Sequence, residues 1–125
     1  MSQFTTIKTQ IKDVAALRAA VVELGLTLIP NAQARGYVTN TTKGEYVIRL
    51  KGPYDIAVNQ EKDGTLGLTT DWWDGHVEKE VGPNFGRLLQ LYGVHKASQA
   101  AKKKGLSVLR KQQPNGNIKL VLLSV

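Results

Sequence analysis

Residues 45–70 read EYVIRLKGPYDIAVNQEKDGTLGLTT and contain three strand-like segments in succession. These segments cover residues 45–50, 54–60 and 65–70. Gly52-Pro53 separates the first two, and Asp63-Gly64, a favourable tight-turn dipeptide, separates the last two. The pattern predicts an antiparallel meander of three strands.

A helix is predicted before the meander, between the N-cap residue Asp13 and the left-handed stop Gly25. Its apolar residues recur at helical spacing: Val14, Leu17, Val21 and Leu24. We expect one short strand within residues 3–11. A second, at residues 26–29, would be ended by Pro30 and lie beside the first or at an edge. Residues 31–43 show little periodicity and are interpreted as a loop, in which residues 36–38 could begin a strand.

The period changes after Phe85, where apolar residues follow one helical face as far as Ala101. One bent helix or two short ones would fit this pattern, and Gly105 ends it. Strands at 106–112 and 118–125 follow, joined through Asn115-Gly116, the strongest hairpin signal in the chain. Because both faces of the last strand are apolar, we expect it to be central or covered on both sides.

These elements predict a single α+β domain over residues 1–125. It would have two layers, with a mostly antiparallel sheet of about five to seven short strands and two main helices packed on one face. The chain of 125 residues is long enough to bury a core, and it contains no cysteine, which excludes thiol catalysis and thiolate metal sites. No apolar stretch is long enough for a membrane span or a secretion signal, so a soluble, reducing compartment such as the cytoplasm is expected.

The net charge of +7 is polarised along the chain. Residues 1–50 hold six basic and three acidic side chains, residues 51–85 three and seven, and residues 86–125 eight and none. The basic groups of the last segment are therefore expected to meet acidic groups of the middle segment, of another molecule, or solvent.

A family resemblance is carried by short segments spread along the chain: Ser2-Gln3-Phe4, Ile7-Lys8-Thr9, Arg35-Gly36-Tyr37, Tyr54-Asp55-Ile56, Leu91-Tyr92-Gly93-Val94-His95, Lys104-Gly105 and Asn115-Gly116-Asn117-Ile118. In this order and spacing they resemble the conserved family of cyanobacteria and plastid genomes called hypothetical chloroplast reading frame thirty-five, a domain of unknown function. The region between Lys43 and Val81 looks shorter than in the plastid members. The resemblance implies a cyanobacterial, plastid or related bacterial or phage setting, with the plastid stroma as an alternative location, and it implies no established activity or catalytic residue.

The first candidate site is the segment 71–76, DWWDGH, in which Asp71, Asp74 and His76 could hold a divalent cation. The spacing matches no known metal loop, and the alternative is a solvated acidic loop whose tryptophans cap the sheet. Adjacent residues of a strand point to opposite faces, so one ring of Trp72 and Trp73 should be buried and the other accessible to a partner. Parity with Leu66, Leu68 and Thr70 favours Trp72 for the core.

The second candidate pairs Tyr92 with His95, which share a helical face if the helix is continuous. A histidine there could act as a general base or bind a partner. No Ser/His/Asp arrangement accompanies it, and the alternative is a helix residue that hydrogen-bonds a neighbouring element.

The third candidate is a basic stretch that could bind an anionic partner or nucleic acid: Lys96, Lys102, Lys103, Lys104, Arg110 and Lys111. Lysines at a helix C-terminus also complement its dipole, which is a sufficient structural reason for residues 102–104. Nucleic acid would call for aromatic residues interleaved with the bases, and only Phe85 and Tyr92 lie in this half.

Three functions follow from these patterns. The leading hypothesis is a non-catalytic interaction module with a protein partner, without cofactor or bound metal, in which opposite charges could also join copies into homo-oligomers. The alternative is an RNA- or DNA-binding protein that uses the basic C-terminal half. A metal-dependent enzyme using segment 71–76 is the third hypothesis.

Overall fold

The computed structural model describes residues 3–124, and the elements of this part follow in the order β1 (Phe4–Lys8), α1 (Val14–Glu23), β2 (Thr27–Arg35), β3 (Thr41–Arg49), β4 (Ile56–Gln60), β5 (Leu66–Asp71), α2 (Glu78–Val81), α3 (Gly86–Lys103), β6 (Leu106–Gln112) and β7 (Ile118–Ser124). Short 3-10 turns at Trp73–Gly75 and Pro83–Phe85 flank α2. Ser2 of the resemblance and Val125 of the predicted last strand lie outside the described residues. No helix within residues 3–124 is long and apolar enough to cross a membrane.

Five strands form one antiparallel sheet in the order β1-β5-β4-β3-β2. The meander of β3, β4 and β5 is confirmed, with Ile48 opposite Ile56 and Val58 opposite Leu68. The N-terminal strand β1 pairs with β5, whereas β2 forms the other edge. The expectation that β2 lies at an edge is therefore confirmed.

The helices begin and end where their sequences favour it. The Asp13 side chain accepts a hydrogen bond from the backbone N–H of Ala16, and Gly25 adopts a φ of +76° just after α1. The second pattern forms one continuous helix, α3, in which Gly93 causes no break, and Gly105 follows it with a φ of +77°.

Both long helices pack on one face of the five-stranded sheet. Leu17 and Val21 of α1 join Leu88 and Leu91 of α3 in a single apolar core with the inward side chains of the strands, among them Ile48, Ile56, Val58 and Leu68. Removal of this apolar surface from water is the main force that holds the helical layer to the sheet. The predicted α+β fold, with two helices on a mostly antiparallel sheet, is confirmed.

The interpretation of residues 31–43 as a loop is wrong for residues 31–35 and 41–43, which belong to β2 and β3 and pair up to Arg35 opposite Thr41. Residues 36–40 form the turn between them, so no strand begins at residues 36–38. Pro30 does not end β2, since an edge strand can leave its missing N–H on the unpaired side. At Asn31 the backbone adopts a φ of +46°, and beyond this point the hairpin crosses the back of the sheet. Its tip reaches β1, where a Cβ on Gly36 would lie 2.5 Å from the Phe4 ring.

The C-terminal strands depart from the prediction for β7. The hairpin at Asn115-Gly116 is confirmed, and Gly116 adopts a φ of +89°. However, β6 and β7 pair only with each other among the described residues, and they form a separate ribbon against α3. The last strand is thus neither central nor covered on both sides, and Leu122 and Leu123 are about half exposed.

Candidate functional site

A buried carboxylate, Asp55, ties the hairpin tip to the sheet. Its Oδ2 accepts hydrogen bonds from Nε of Arg35 at 2.8 Å and from Nη1 of Arg49 at 2.7 Å, and its Oδ1 accepts one from Nη2 of Arg35 at 2.8 Å. Burial alone would raise the pKa of this carboxyl, but the bonds from the Arg35 side chain and from the backbone N–H of Arg35 and Leu50 outweigh it and lower the pKa. Asp55 therefore stays ionised and holds Arg35 in place.

A second buried carboxylate, Asp71, positions two exposed aromatic residues. Its Oδ2 accepts a hydrogen bond from the backbone N–H of Tyr37 at 3.2 Å, and its Oδ1 accepts one from the backbone N–H of Trp73 at 3.0 Å. Asp71 is 1% exposed. One side chain at the end of β5 thus fixes the hairpin tip relative to the turn that follows the strand.

The rings of Tyr37 and Trp73 meet edge to face, with centroids 5.7 Å apart and planes 68° apart. Both remain exposed, at 41% and 45%, and neighbouring Val38 is 78% exposed. Asp74, the next acidic side chain, is also open to solvent. We call Tyr37, Val38, Trp73 and Asp74 the aromatic corner.

The backbone of the aromatic corner is strained at two positions. Val38 has a φ of +58°, which a β-branched residue rarely adopts, and Asp74 also has a φ of +58°. Such strain persists only when the surrounding structure imposes it, and it is concentrated at functional sites. At Val38, two hydrogen bonds close the hairpin tip around the strained residue. Gly36 N–H donates to the carbonyl of Asn40, and Asn40 N–H donates to the carbonyl of Tyr37.

The two tryptophans lie in different environments, as predicted. Trp72 is half-buried and packs on the core, with its ring centroid 4.7 Å from that of Phe85. Trp73 is the accessible ring. The choice of Trp72 for the core therefore agrees with its packing, although its ring is only partly covered.

Tyr92 and His95 do not join the aromatic corner, because both face α1. The hydroxyl oxygen of Tyr92 accepts hydrogen bonds from the backbone N–H groups of Lys12 at 3.3 Å and Asp13 at 3.2 Å, where α1 begins. Nε2 of His95 lies 2.7 Å from Oε1 of Glu23, at the last turn of the same helix. Each side chain thus joins α3 to an end of α1.

Glu23 also anchors the ribbon. Arg110 of β6 donates two hydrogen bonds to its carboxylate, Nη1 to Oε2 at 3.0 Å and Nη2 to Oε1 at 2.9 Å. These bonds, with the contribution of His95, lower the pKa of the Glu23 carboxyl. Clefts of about 470 and 440 Å³ lie on either side of Arg110, between the ribbon and the helices.

The predicted basic stretch divides into paired and solvent-facing groups. Nζ of Lys96 lies 3.0 Å from Oδ2 of Asp13, and Arg110 binds Glu23. The expectation that these basic groups meet only the middle segment, another molecule or solvent is therefore wrong for Lys96 and Arg110, because α1 and its N-cap supply both carboxylates. Within residues 3–124, no acidic side chain forms an ion pair with the remaining exposed members of the stretch: Lys102, Lys103, Lys104 and Lys111.

The ribbon has an outer face that alternates apolar and basic side chains. Most ribbon residues that line the clefts beside α3 are even-numbered, among them Arg110 and Ile118, so the odd-numbered side chains of these strands point away from α3. Ser107 also lines one cleft, and Leu122 at the end of the inner face is 53% exposed. We call these outward residues the ribbon face: Leu109, Lys111, Lys119, Val121 and Leu123. Leu109 and Leu123 are each 46% exposed.

The metal hypothesis for segment 71–76 finds no support in the geometry. Both oxygens of Asp71 are used by backbone N–H groups, and His76 Nε2 lies 3.8 Å from the nearest oxygen of Asp74. Within residues 3–124, no group of three or more His, Asp or Glu side chains is arranged to hold a metal ion.

A family model described as "Protein of unknown function (DUF1257)" matches residues 20–121. The chain belongs to this family. The DUF1257 match includes the whole aromatic corner and all of the ribbon face except Leu123. No curated protein and no solved structure matches the chain.

The sequence pattern missed several residues of the DUF1257 chain that build the aromatic corner. Tyr37 and Val38 lie in the segment interpreted as a loop, and Asp55 carries no local motif for ion pairing. The segments Arg35-Gly36-Tyr37 and Tyr54-Asp55-Ile56, quoted separately for the family resemblance, meet through the Arg35–Asp55 bonds. The contact between these two segments exists only in the folded chain, so the sequence pattern could not reveal it.

Proposed function

We propose that this DUF1257 chain is a non-catalytic interaction module that binds a protein partner through the aromatic corner. The observation that carries the proposal is the exposed edge-to-face pair of Tyr37 and Trp73, held by a buried carboxylate. Tryptophan and tyrosine are enriched among the residues that dominate binding energy at protein interfaces. Two rigid rings held in advance lose little conformational freedom on binding, which favours affinity.

The use of the ionisable groups supports a binding role over catalysis. Asp55 and Asp71 accept bonds that hold the hairpin tip, while Tyr92 and His95 join α3 to α1. In these positions the side chains stabilise the fold and leave no nucleophile and base in contact with each other, which a hydrolase site would require.

The proposal is tested with the immobilised full chain and two variants, Trp73→Ala and Val22→Ala, in an extract of photosynthetic cells. Val22 is a matched control because it is an apolar side chain of α1 that is 62% exposed. We expect the wild type and Val22→Ala to retain the same proteins and Trp73→Ala to lose them. Equal retention by all three forms, or no retained protein, would contradict the proposal.

Nucleic-acid binding is the second candidate, favoured by the exposed lysines at the end of α3: Lys102, Lys103 and Lys104. Phosphate contacts release counterions, so binding of RNA or DNA oligonucleotides should weaken steeply with salt. Changing these lysines to glutamine should weaken it further, whereas Lys96→Gln should matter less because Lys96 pairs with Asp13. Absence of binding at low salt rules this candidate out.

We further propose a cyanobacterial or plastid setting, in the cytoplasm or the stroma, on the strength of the resemblance given above. Detection of the chain by antibody in fractionated cells of such an organism is the direct test, and its recovery only with the membrane fraction would contradict the proposed location.

A further inference from the structure

The chain presents two exposed apolar surfaces whose charges are opposite. The aromatic corner combines Tyr37, Val38 and Trp73 with the open carboxylate of Asp74. The ribbon face combines leucines with two lysines. Each surface therefore offers apolar area and a charge whose sign is opposite to that of the other surface, so the two surfaces are complementary.

The ribbon face places two like charges side by side. Lys111 of β6 lies directly opposite Lys119 of β7 in the antiparallel register, and both are exposed. Like charges in directly opposed positions destabilise a β-ribbon. A carboxylate placed between them would replace this repulsion with attraction, so the cross-strand pair itself points to an acidic group on whatever covers the ribbon.

The aromatic corner has the opposite field. Asp74 is accessible at its edge, and the buried carboxylate of Asp71 lies directly beneath the Tyr37 and Trp73 backbone. The negative charges of Asp71 and Asp74 also act on neighbouring Tyr54. The pKa of its hydroxyl is raised first by burial and in addition by these two carboxylates. A lysine ammonium close to these rings would gain from the carboxylates and from the faces of the aromatic rings.

We propose that the aromatic corner of one copy docks on the ribbon face of a second copy, with Trp73 against Leu109 and Leu123, and Asp74 between Lys111 and Lys119. This rests on the proposed function and names the partner as the chain itself. The contact is heterologous, since two different surfaces meet. A pair of docked copies keeps one unused surface of each kind, the ribbon face of one copy and the aromatic corner of the other, so association continues head to tail into a ring or an open chain.

The net charge of +7 opposes this association at low ionic strength. At about 0.15 M salt the Debye length is about 8 Å, which screens the repulsion between whole molecules more than it screens groups in contact. Small interfaces of this kind are weak, so the association is measured by sedimentation velocity up to about 1 mM protein. We expect the average mass of the wild type to rise beyond that of a dimer.

The decisive experiment mixes two variants that each lose one surface. Trp73→Ala removes the aromatic anchor and keeps the ribbon face. Lys111→Glu leaves one charge of each sign at the cross-strand pair, which then no longer attracts Asp74, and keeps the aromatic corner. Each variant alone should self-associate about tenfold or more weakly than the wild type. Their equimolar mixture should form a 1:1 dimer and stop there, because only one complementary pair of surfaces remains. Circular dichroism confirms that both variants fold, and Lys111→Glu removes a repulsion within the ribbon.

Charge exchange provides an independent check. Asp74→Lys should weaken self-association, as should Lys111→Glu combined with Lys119→Glu, and the variant with all three changes should recover it, because the exchanged charge of the corner again lies between two opposite charges. A wild type that stays monomeric at about 1 mM overturns the proposal, as does a variant mixture without a 1:1 dimer or a triple variant without recovery. If the wild type stays monomeric but a cellular protein is lost only by Trp73→Ala, self-docking is wrong while the interaction module stands. If the chain self-associates and no cellular protein depends on Trp73, self-docking stands and the proposal of a separate cellular partner is wrong.

Discussion

The guanidinium of Arg35 binds the carboxylate of Asp55 with two parallel hydrogen bonds of 2.8 Å, from Nε to Oδ2 and from Nη2 to Oδ1. The two residues are 20 positions apart, and Asp55 has no exposed surface. A paired geometry of this kind fixes orientation as well as distance, because the guanidinium is planar. The position of the aromatic corner therefore depends on a contact made beneath it.

Replacement of Asp55 should destabilise the fold strongly. Asp55→Asn leaves Arg35 and Arg49 beside a neutral amide, which keeps one acceptor oxygen and turns the other into an NH2 group that cannot accept their hydrogen bonds. Breaking a buried ion pair on one side costs about 3–5 kcal/mol. Glu78→Gln, an exposed carboxylate on α2, is the matched control and should change the free energy of unfolding by less than about 0.5 kcal/mol. Urea unfolding of both variants measures the difference, and equal small losses would show that the Asp55 contacts contribute little.

Acid should weaken the fold through Asp55 and Glu23, since the pKa of each carboxyl is lowered in the folded state. Their unfolded pKa values are about 4, so their contribution is complete above about pH 5 and declines as the pH falls through the lower, folded-state values. Unfolding free energies between pH 7 and pH 3 should therefore fall less steeply for Asp55→Asn or Glu23→Gln than for the wild type. A slope unchanged in both variants would contradict this origin of acid sensitivity.

The two tryptophans should respond unequally to alanine. Trp72→Ala removes a ring that packs on Phe85 and the core, which should cost about 3 kcal/mol. Trp73→Ala removes a ring that is half exposed and loses one aromatic pair, worth about 1 kcal/mol. Paired chemical unfolding curves give both values. Equal large losses would show that Trp73 serves the fold and is unavailable as a docking anchor.

Loss of the Arg110–Glu23 pair should loosen the ribbon without unfolding the sheet. Arg110→Gln removes both bonds to Glu23, and the ribbon has no strand neighbour within the described residues. Amide hydrogen exchange should therefore become faster in residues 106–124 while the amides of β4 and β5 keep their protection. Lys111→Gln, a neighbouring basic residue on the opposite face, should leave the exchange pattern unchanged. Uniformly faster exchange across the sheet would indicate that the ribbon and the sheet unfold together.

Glycine should relieve the strain at Val38. The residue holds a φ of +58° and its side chain is 78% exposed, so Val38→Gly removes strain and little packing. The gain, offset by the greater freedom of glycine in the unfolded chain, should leave stability equal or raise it by up to about 1 kcal/mol. Val22→Gly, at another largely exposed valine in α1, should instead lower it by about 0.5 kcal/mol. A loss at Val38 as large as that at Val22 would mean that the side chain has a packing role.

Local chemistry accounts for the parts of the fold that the sequence predicts. Asp13 and Gly25 bound α1, and Asn115-Gly116 turns the ribbon, because a cap or a tight turn depends on a few adjacent residues. The meander of β3, β4 and β5 follows from strand segments joined by short connections. The accessible Trp73 agrees with the prediction but not with its reason, because β5 ends at Asp71 and Trp73 lies in a 3-10 turn, where strand alternation does not apply.

Contacts between distant residues account for the errors. Pro30 ends a strand in most settings, and only its place at the sheet edge permits β2 to continue. Both faces of β7 are apolar, as they would be in a buried strand. In the fold, however, one face meets α3 and the other meets solvent. Glu23 and Arg110 lie 87 positions apart, so no count of charges along the chain could pair them.

Because β1 pairs with β5, it stays unpaired during synthesis until β5 has been made. Thr6 meets Thr69 across the strands, 63 positions away, and β1 has no other strand partner within residues 3–124. At about 5–20 residues per second, a ribosome takes roughly 3–13 s to supply that partner, far longer than a hairpin needs to close. The first strand is thus the last of the five-stranded sheet to be paired, and a nascent chain that stops before Leu66 carries Ile7 without a partner strand.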